Sequence, residues 1–160
     1  SLAYENIIRN KISISNKNDP IYNLKSIKNN IEIKNIIKSH ILDGVAVIKF
    51  LYWIKNLKKN ISELDAEKKL IFFRKKNKNY LFPSFNTIAA SGPNGAIIHY
   101  RANKNSNRLI KKKDIFLFDS GGQYKYGTTD ITRTICLGTQ SNKIKNIYSY
   151  IYSQRSSVSL

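Results

Sequence analysis

Acidic residues are scarce in this chain: ten aspartates and glutamates stand against 28 lysines and arginines, a formal charge of +18 over 160 residues. Such a surplus attracts phosphate backbones and anionic lipid heads whether or not binding them is the task. The lysines, however, run along the whole sequence beside many asparagines and isoleucines, the three residues that adenine- and thymine-rich codons produce. Base composition therefore accounts for them without a selected binding surface. Only Lys111, Lys112 and Lys113 form a cluster, placed where a polar turn would precede a strand. Nucleic acid is not the expected partner. Cysteine is nearly missing too. A single Cys136 excludes an internal disulfide framework and fits a reducing, cytoplasmic setting, and its place in Ile135-Cys136-Leu137 predicts a buried, inert thiol. Long apolar runs are also lacking. The longest, Gly44 to Ile54, is interrupted by Lys49 and too short to span a bilayer, and the N-terminus has no basic segment followed by an apolar block. A soluble protein without a membrane partner is expected. No internal repeat is present, and the turn Ser91 to Gly95 lacks the Gly-Lys-Ser/Thr ending of a phosphate-binding loop.

What is present supports a core, since 41% of residues are apolar. Residues 1–28 alternate short apolar runs with Asn, Ser and Lys around the turn signal Asn18-Asp19-Pro20, and read as a linker or the end of a preceding domain. From Asn29 or Asn30, a suitable N-cap, Ile33, Ile36, Ile37, Ile41, Val47, Ile48, Leu51 and Ile54 recur at helical spacing. Gly44 inside this helix marks either close packing or a break. Ser62-Glu63-Leu64-Asp65 resembles a capping box and predicts a second helix up to Lys76. Tyr80 to Ala90 and Ala96 to Ala102 read as strands around the Ser91–Gly95 turn, followed by a polar loop from Asn103 to Lys113. Asn142 to Tyr152 has weak helical character, and Ser153 to Leu160 has no pattern. Helices first and strands afterwards favour an α+β fold.

The chemistry concentrates in Asp119-Ser-Gly-Gly-Gln-Tyr-Lys-Tyr-Gly-Thr-Thr-Asp130, which sets two carboxylates eleven positions apart around a glycine-rich connection. The β-prone run Ile115 to Phe118 ends at Asp119, and another begins at Asp130 and continues through Leu137. If these strands pair, the two carboxylates share a face, and a hard divalent cation is the natural relief of their repulsion. Taken alone, Asp119 reads better as a turn former that caps the Ser-Gly-Gly loop, and Asp130 has a similar reading beside Thr128 and Thr129; the pair together brings a metal site to even standing. His99, in Ala96-Ile-Ile-His-Tyr100, reads as a partly buried histidine or as a donor to a substrate carbonyl. His40, on the long helix among isoleucines, reads as structural.

Three stretches together resemble the Xaa-Pro aminopeptidases, also called aminopeptidase P. They are Pro83-Ser-Phe-Asn-Thr-Ile-Ala-Ala-Ser-Gly-Pro-Asn-Gly-Ala-Ile-Ile-His99-Tyr100, Asp119-Ser-Gly-Gly-Gln-Tyr, and Gly127-Thr-Thr-Asp130-Ile-Thr-Arg-Thr134. Ser39-His-Ile-Leu-Asp-Gly-Val-Ala-Val-Ile48 adds to the match. The resemblance implies the pita-bread fold, with helices packed on a mainly antiparallel sheet. It also implies hydrolysis of the bond between an N-terminal residue and a following proline. Of two divalent metals, usually manganese, Asp119 would chelate one and Asp130 would bridge both, with His99 contacting the peptide substrate. A homodimer is a further expectation from the family.

Two departures accompany the match. The family completes its site with a histidine and two glutamates downstream, yet after Asp130 this chain has no histidine, aspartate or glutamate, and Leu42 stands where a basic residue is expected. The expected organisation is therefore 29–160 as the first half of a pita-bread catalytic domain, a fragment inactive alone. The alternative is a non-catalytic pita-bread module that binds nucleic acid or protein.

Overall fold

A computed structural model describes residues 17–157 together with Ile7 and Ile12, the side chains of 155–157 excepted. Half of residues 1–28, the stretch read as a linker or the end of a preceding domain, and the last three residues of the chain lie outside the described residues. The chain divides into two units, Ser1–Ile33 and Lys34–Leu160. Helix α1 (Pro20–Ser26) starts with Pro at its first position, and the Asp19 carboxylate accepts the Ile21 N–H at 2.9 Å. Helix α2 (Asn30–Lys55) starts on a reciprocal cap. The Asn29 side chain accepts the N–H groups of Ile31 and Glu32, and Asn29 N–H donates to Glu32 Oε2 at 2.8 Å.

In the second unit α2 runs unbroken through Gly44. A β-carbon built there would meet nothing within 4 Å, so this glycine marks neither a break nor a close approach. Strand β1 (Ile61–Ser62) leads into helix α3 (Glu63–Lys75), where Ser62 and Asp65 form the expected capping box. The stretch read as one strand from Tyr80 is two, β2 (Tyr80–Pro83) and β3 (Ile88–Ser91), and they belong to different sheets. Ala96 to Ala102 is not a strand. Gly92–Ala96 forms a 3-10 turn, and irregular backbone continues to β4 (Leu109–Ile110). After β5 (Ile115–Ser120) come the short β6 (Gly122–Tyr124) and β7 (Gly127–Thr128), then β8 (Ile131–Cys136). Helix α4 (Asn142–Ser157) carries on through residues read as patternless. No described helix is long and apolar enough to cross a membrane.

The sheet that matters is antiparallel with order β3-β5-β8. Its β5 strand alternates strictly: Phe116, Phe118 and Ser120 are buried, while Ile115, Leu117 and Asp119 are half-buried. The buried side meets Val47, Phe50 and Ile54 of α2 and Ala66 and Leu70 of α3, with Phe50 edge-on to Phe118 at 5.2 Å between centroids. Ile131 and Ile135 of β8 point to the same core. Alternation then sends Cys136 to the other face, where it is exposed rather than buried as its apolar neighbours suggested. Because the β-carbon at position 44 has open space, Gly44→Ala is expected to raise the unfolding free energy by about 1 kcal/mol, readable by urea denaturation; a loss would mean that the helix needs glycine there.

Candidate metal centre

The face of the sheet opposite the core carries the carboxylates. Asp119 lies next to the end of β5 and pairs in register with Thr132, not with Asp130, and Asp130 lies just outside β8, two residues before Thr132. Residues two apart on a strand share a face, so Asp119, Thr132 and Asp130 converge. The Thr132 hydroxyl donates to Asp119 Oδ1 at 2.8 Å. Asp130 is exposed at the rim, yet its carboxyl sits above the usual carboxylate range. Partial desolvation is the first cause, then the charge of Asp119 and a hydrogen bond with it; the charge of His40 pulls the other way. An open cleft of about 560 Å³ lies beside it, lined by His40, Gly44, Asp130, Ile131, Thr132 and Arg133. His40, read as structural, is thus exposed on the cleft wall.

Behind this face lies a buried polar knot. Asp43 of α2 accepts a bidentate pair of hydrogen bonds from Arg74 of α3, at 2.6 Å from Nε and 3.1 Å from Nη2. The Tyr124 hydroxyl donates to Asp43 Oδ1 and the Thr129 hydroxyl to Oδ2, both at 2.8 Å. Arg74 Nη2 also donates to Ser120 Oγ at 3.1 Å. Burial, and then the Asp43 carboxylate, push the Tyr124 phenol well above its ordinary pKa, so it remains a protonated donor. The turn between the two aspartates is drawn tight over the knot. Thr129 Oγ1 accepts the Gly122 N–H at 2.9 Å, and a β-carbon at Gly121 would collide with the Thr129 carbonyl and Ser84 Oγ.

His99 is placed differently from its reading in an apolar strand. It is exposed, in an irregular loop, with φ at +53°. Among the described residues its imidazole makes no hydrogen bond or ion pair, so no such contact joins it to Asp119 or Asp130. The loop is shaped by Glu63, a fully buried carboxylate at the start of α3. Glu63 accepts hydrogen bonds from Ser91 N–H at 2.7 Å, the Tyr100 hydroxyl at 2.8 Å, Arg108 N–H at 3.0 Å and Asn94 Nδ2 at 3.1 Å.

Sequence reasoning missed Asp43, Arg74, Glu63, Ser120, Tyr124 and Thr129. One signal was available: Asp43 interrupts the apolar periodicity of its helix, and Arg74 is the one arginine of a helix otherwise supplied with lysines. The donor set suits a divalent cation, being two carboxylates close enough for one to raise the other's pKa. It is not a complete set. Among the described residues, no group of three or more His, Cys, Asp or Glu side chains could hold a metal ion.

Residues 34–155 match metallopeptidase family M24. An Xaa-Pro aminopeptidase of Drosophila melanogaster is 44% identical over 135 residues, which is 82% of this chain and 22% of that protein. A probable Xaa-Pro aminopeptidase P of Paracoccidioides lutzii is 40% identical over 136 residues, again 82% of this chain and 22% of the relative. Among solved structures, the X-prolyl aminopeptidase of Caenorhabditis elegans, described as a cytosolic enzyme with a di-nuclear active site, superposes with a TM-score of 0.69 at 32% identity. That match covers 72% of this chain and 20% of the nematode chain. The Xaa-Pro dipeptidase of Bacillus anthracis gives 0.70 at 32% identity, over 81% of this chain and 34% of its own. The chain belongs to metallopeptidase family M24, and its α+β architecture is that family's pita-bread fold. It spans about a fifth of the length of the curated relatives it matches.

Truncating one member of the buried pair leaves the other charged and unmatched. Asp43→Ala is expected to lower the unfolding free energy by about 3–5 kcal/mol, measured by denaturant titration; a cost within the range of a surface substitution would show that Arg74 has found water.

Proposed function

We propose that this chain is the first part of the catalytic domain of a metal-dependent Xaa-Pro aminopeptidase, which hydrolyses the bond between an N-terminal residue and a following proline. The observation that carries the reading is the convergence of Asp119 and Asp130 on one open face of the β5–β8 pair, in a chain of the M24 family. Asp119 would hold one divalent ion and Asp130 would bridge two, manganese being the expected metal. Such a pair supplies a Lewis acid and an activated water when bound.

The chain's own residues orient the reactants. The Thr132 hydroxyl restrains the Asp119 carboxylate, and the cleft beside His40 and Arg133 leaves Asp130 open to a peptide. Proline's acylated nitrogen carries no hydrogen, so recognition rests on ring shape and carbonyl contacts. His99, exposed on the loop held by Glu63 and with both ring nitrogens unengaged, suits a carbonyl contact of that kind. Two carboxylates alone hold a divalent ion weakly, so we take the isolated chain to be inactive. A histidine and two glutamates from outside it would complete the set. Exposed Ile147, Tyr148, Tyr150 and Ile151 on α4, and a β8 edge with no described partner, support a need for further packing. The cytosolic setting of the nematode relative accords with the single, unpaired Cys136.

The test is hydrolysis of an Xaa-Pro tripeptide by the full-length protein with manganese. Asp130→Ala is expected to lower kcat/KM by more than about a hundredfold, beyond what loss of an outer hydrogen-bond partner costs. Equal turnover would remove Asp130 from the mechanism. His99→Ala is expected to lower kcat/KM by about a hundredfold with manganese affinity unchanged. A fall in metal affinity instead would place His99 among the ligands.

A further inference from the structure

Each candidate ligand has a buried neighbour on the opposite face. Ser120 follows Asp119 and Thr129 precedes Asp130, and both are almost wholly shielded, at 0% and 1% exposure. Neither side chain can reach a cation on the open face, yet each is fixed by one member of the Asp43–Arg74 pair. Arg74 Nη2 donates to Ser120 Oγ at 3.1 Å, and Thr129 Oγ1 donates to Asp43 Oδ2 at 2.8 Å. We infer that the Asp43–Arg74 pair is a positioning device, which fixes the backbone on both sides of the glycine turn and so sets how Asp119 and Asp130 face each other. The inference rests on the reading of those two aspartates as metal ligands.

Three observations favour positioning over a purely structural role. Successive residues in extended chain point to opposite faces, so fixing Ser120 and Thr129 fixes the directions of Asp119 and Asp130. A buried ion pair is seldom a net source of stability, apolar residues of similar volume often serving as well, and among the described residues Arg74 Nη1 makes no hydrogen bond. An apolar pair could not direct two hydroxyl groups. Third, the ion pair joins α2 and α3 to this one turn, which lies far from both in sequence, as Tyr124 does through Asp43 Oδ1.

The experiment measures manganese(II) affinity of the full-length protein by calorimetry, with circular dichroism and thermal melting as controls for folding. Thr129→Val removes the hydroxyl at constant shape, Thr129→Ser retains it, and Ser120→Ala removes the Arg74 acceptor; Asp119→Ala is the reference. Thr129→Val and Ser120→Ala are each expected to weaken manganese binding by about 10–100-fold, while Thr129→Ser stays within about threefold of the parent. Folded Thr129→Val and Ser120→Ala proteins with parental affinity would overturn the inference, even with lowered melting points. So would an equal loss in Thr129→Ser. Should Thr129→Val fail to fold, Ser120→Ala decides alone. Unchanged affinity in Asp119→Ala would instead overturn the metal reading itself, and this inference with it.

Discussion

A carboxylate and a guanidinium enclosed away from water are tolerable only when their hydrogen-bonding capacity is largely matched, and that requirement organises the middle of this protein. Desolvation costs several kcal/mol per ion, so Asp43 and Arg74 cannot separate, nor can their partners drift, without leaving charge uncompensated. Both oxygens of Asp43 are occupied twice, by Arg74 together with Tyr124 or Thr129. Two helices and the connection between two strands are thereby held at one point. The aromatic cluster of Phe50, Phe116 and Phe118 supplies the apolar driving force next to it, but apolar contact is non-directional. Registry between helices and turn comes from the polar knot.

That registry has a consequence on the far side of the sheet. The Gly121-Gly122 segment is compressed against the Thr129 carbonyl on one side and the Tyr80 and Tyr124 rings on the other, where no β-carbon fits. Around it, Ser120 and Thr129 face the helices while Asp119 and Asp130 face outward. The same backbone therefore serves packing with one set of residues and presents the carboxylates on the open face with the alternate set, and the two cannot be altered independently.

How much of this was legible in the sequence depends on how local each signal was. Asp119 and Asp130 stood out because strand-forming runs and a glycine-rich connection are properties of neighbouring residues. Asp119 pairs with Thr132 and not with Asp130 itself, since the connection holds its own ladder, β6 with β2 and β7, before the chain returns to β8. Ala96-Ile-Ile-His-Tyr has the composition of a strand but is captured by a distant group. The buried Glu63 carboxylate gathers Ser91, Asn94, Tyr100 and Arg108, and Ile97 and Ile98 are left exposed. Cys136 illustrates the same limit. Its apolar neighbours suggested burial, but alternation on a sheet covered by helices on one face gives Ile135 the inside and Cys136 the outside. The pairing of Asp43 with Arg74 spans 31 residues and leaves almost no local trace.

Two like charges held together are a cost that the fold must carry, and the structure shows where it is carried. The Asp130 carboxyl is raised from its ordinary value by partial desolvation and then by Asp119, so their proximity is unfavourable when both are ionised. Among the described residues, the Thr132 hydroxyl and the charge of His40 are what relieve it. The restraint comes from behind, through residues whose own hydrogen bonds are made to the buried ion pair. A site that relied on its ligands to find each other would let the carboxylates swing apart in water. One that fixes them from the packed face keeps the repulsion in place, and so keeps available the attraction that a divalent cation would release on binding.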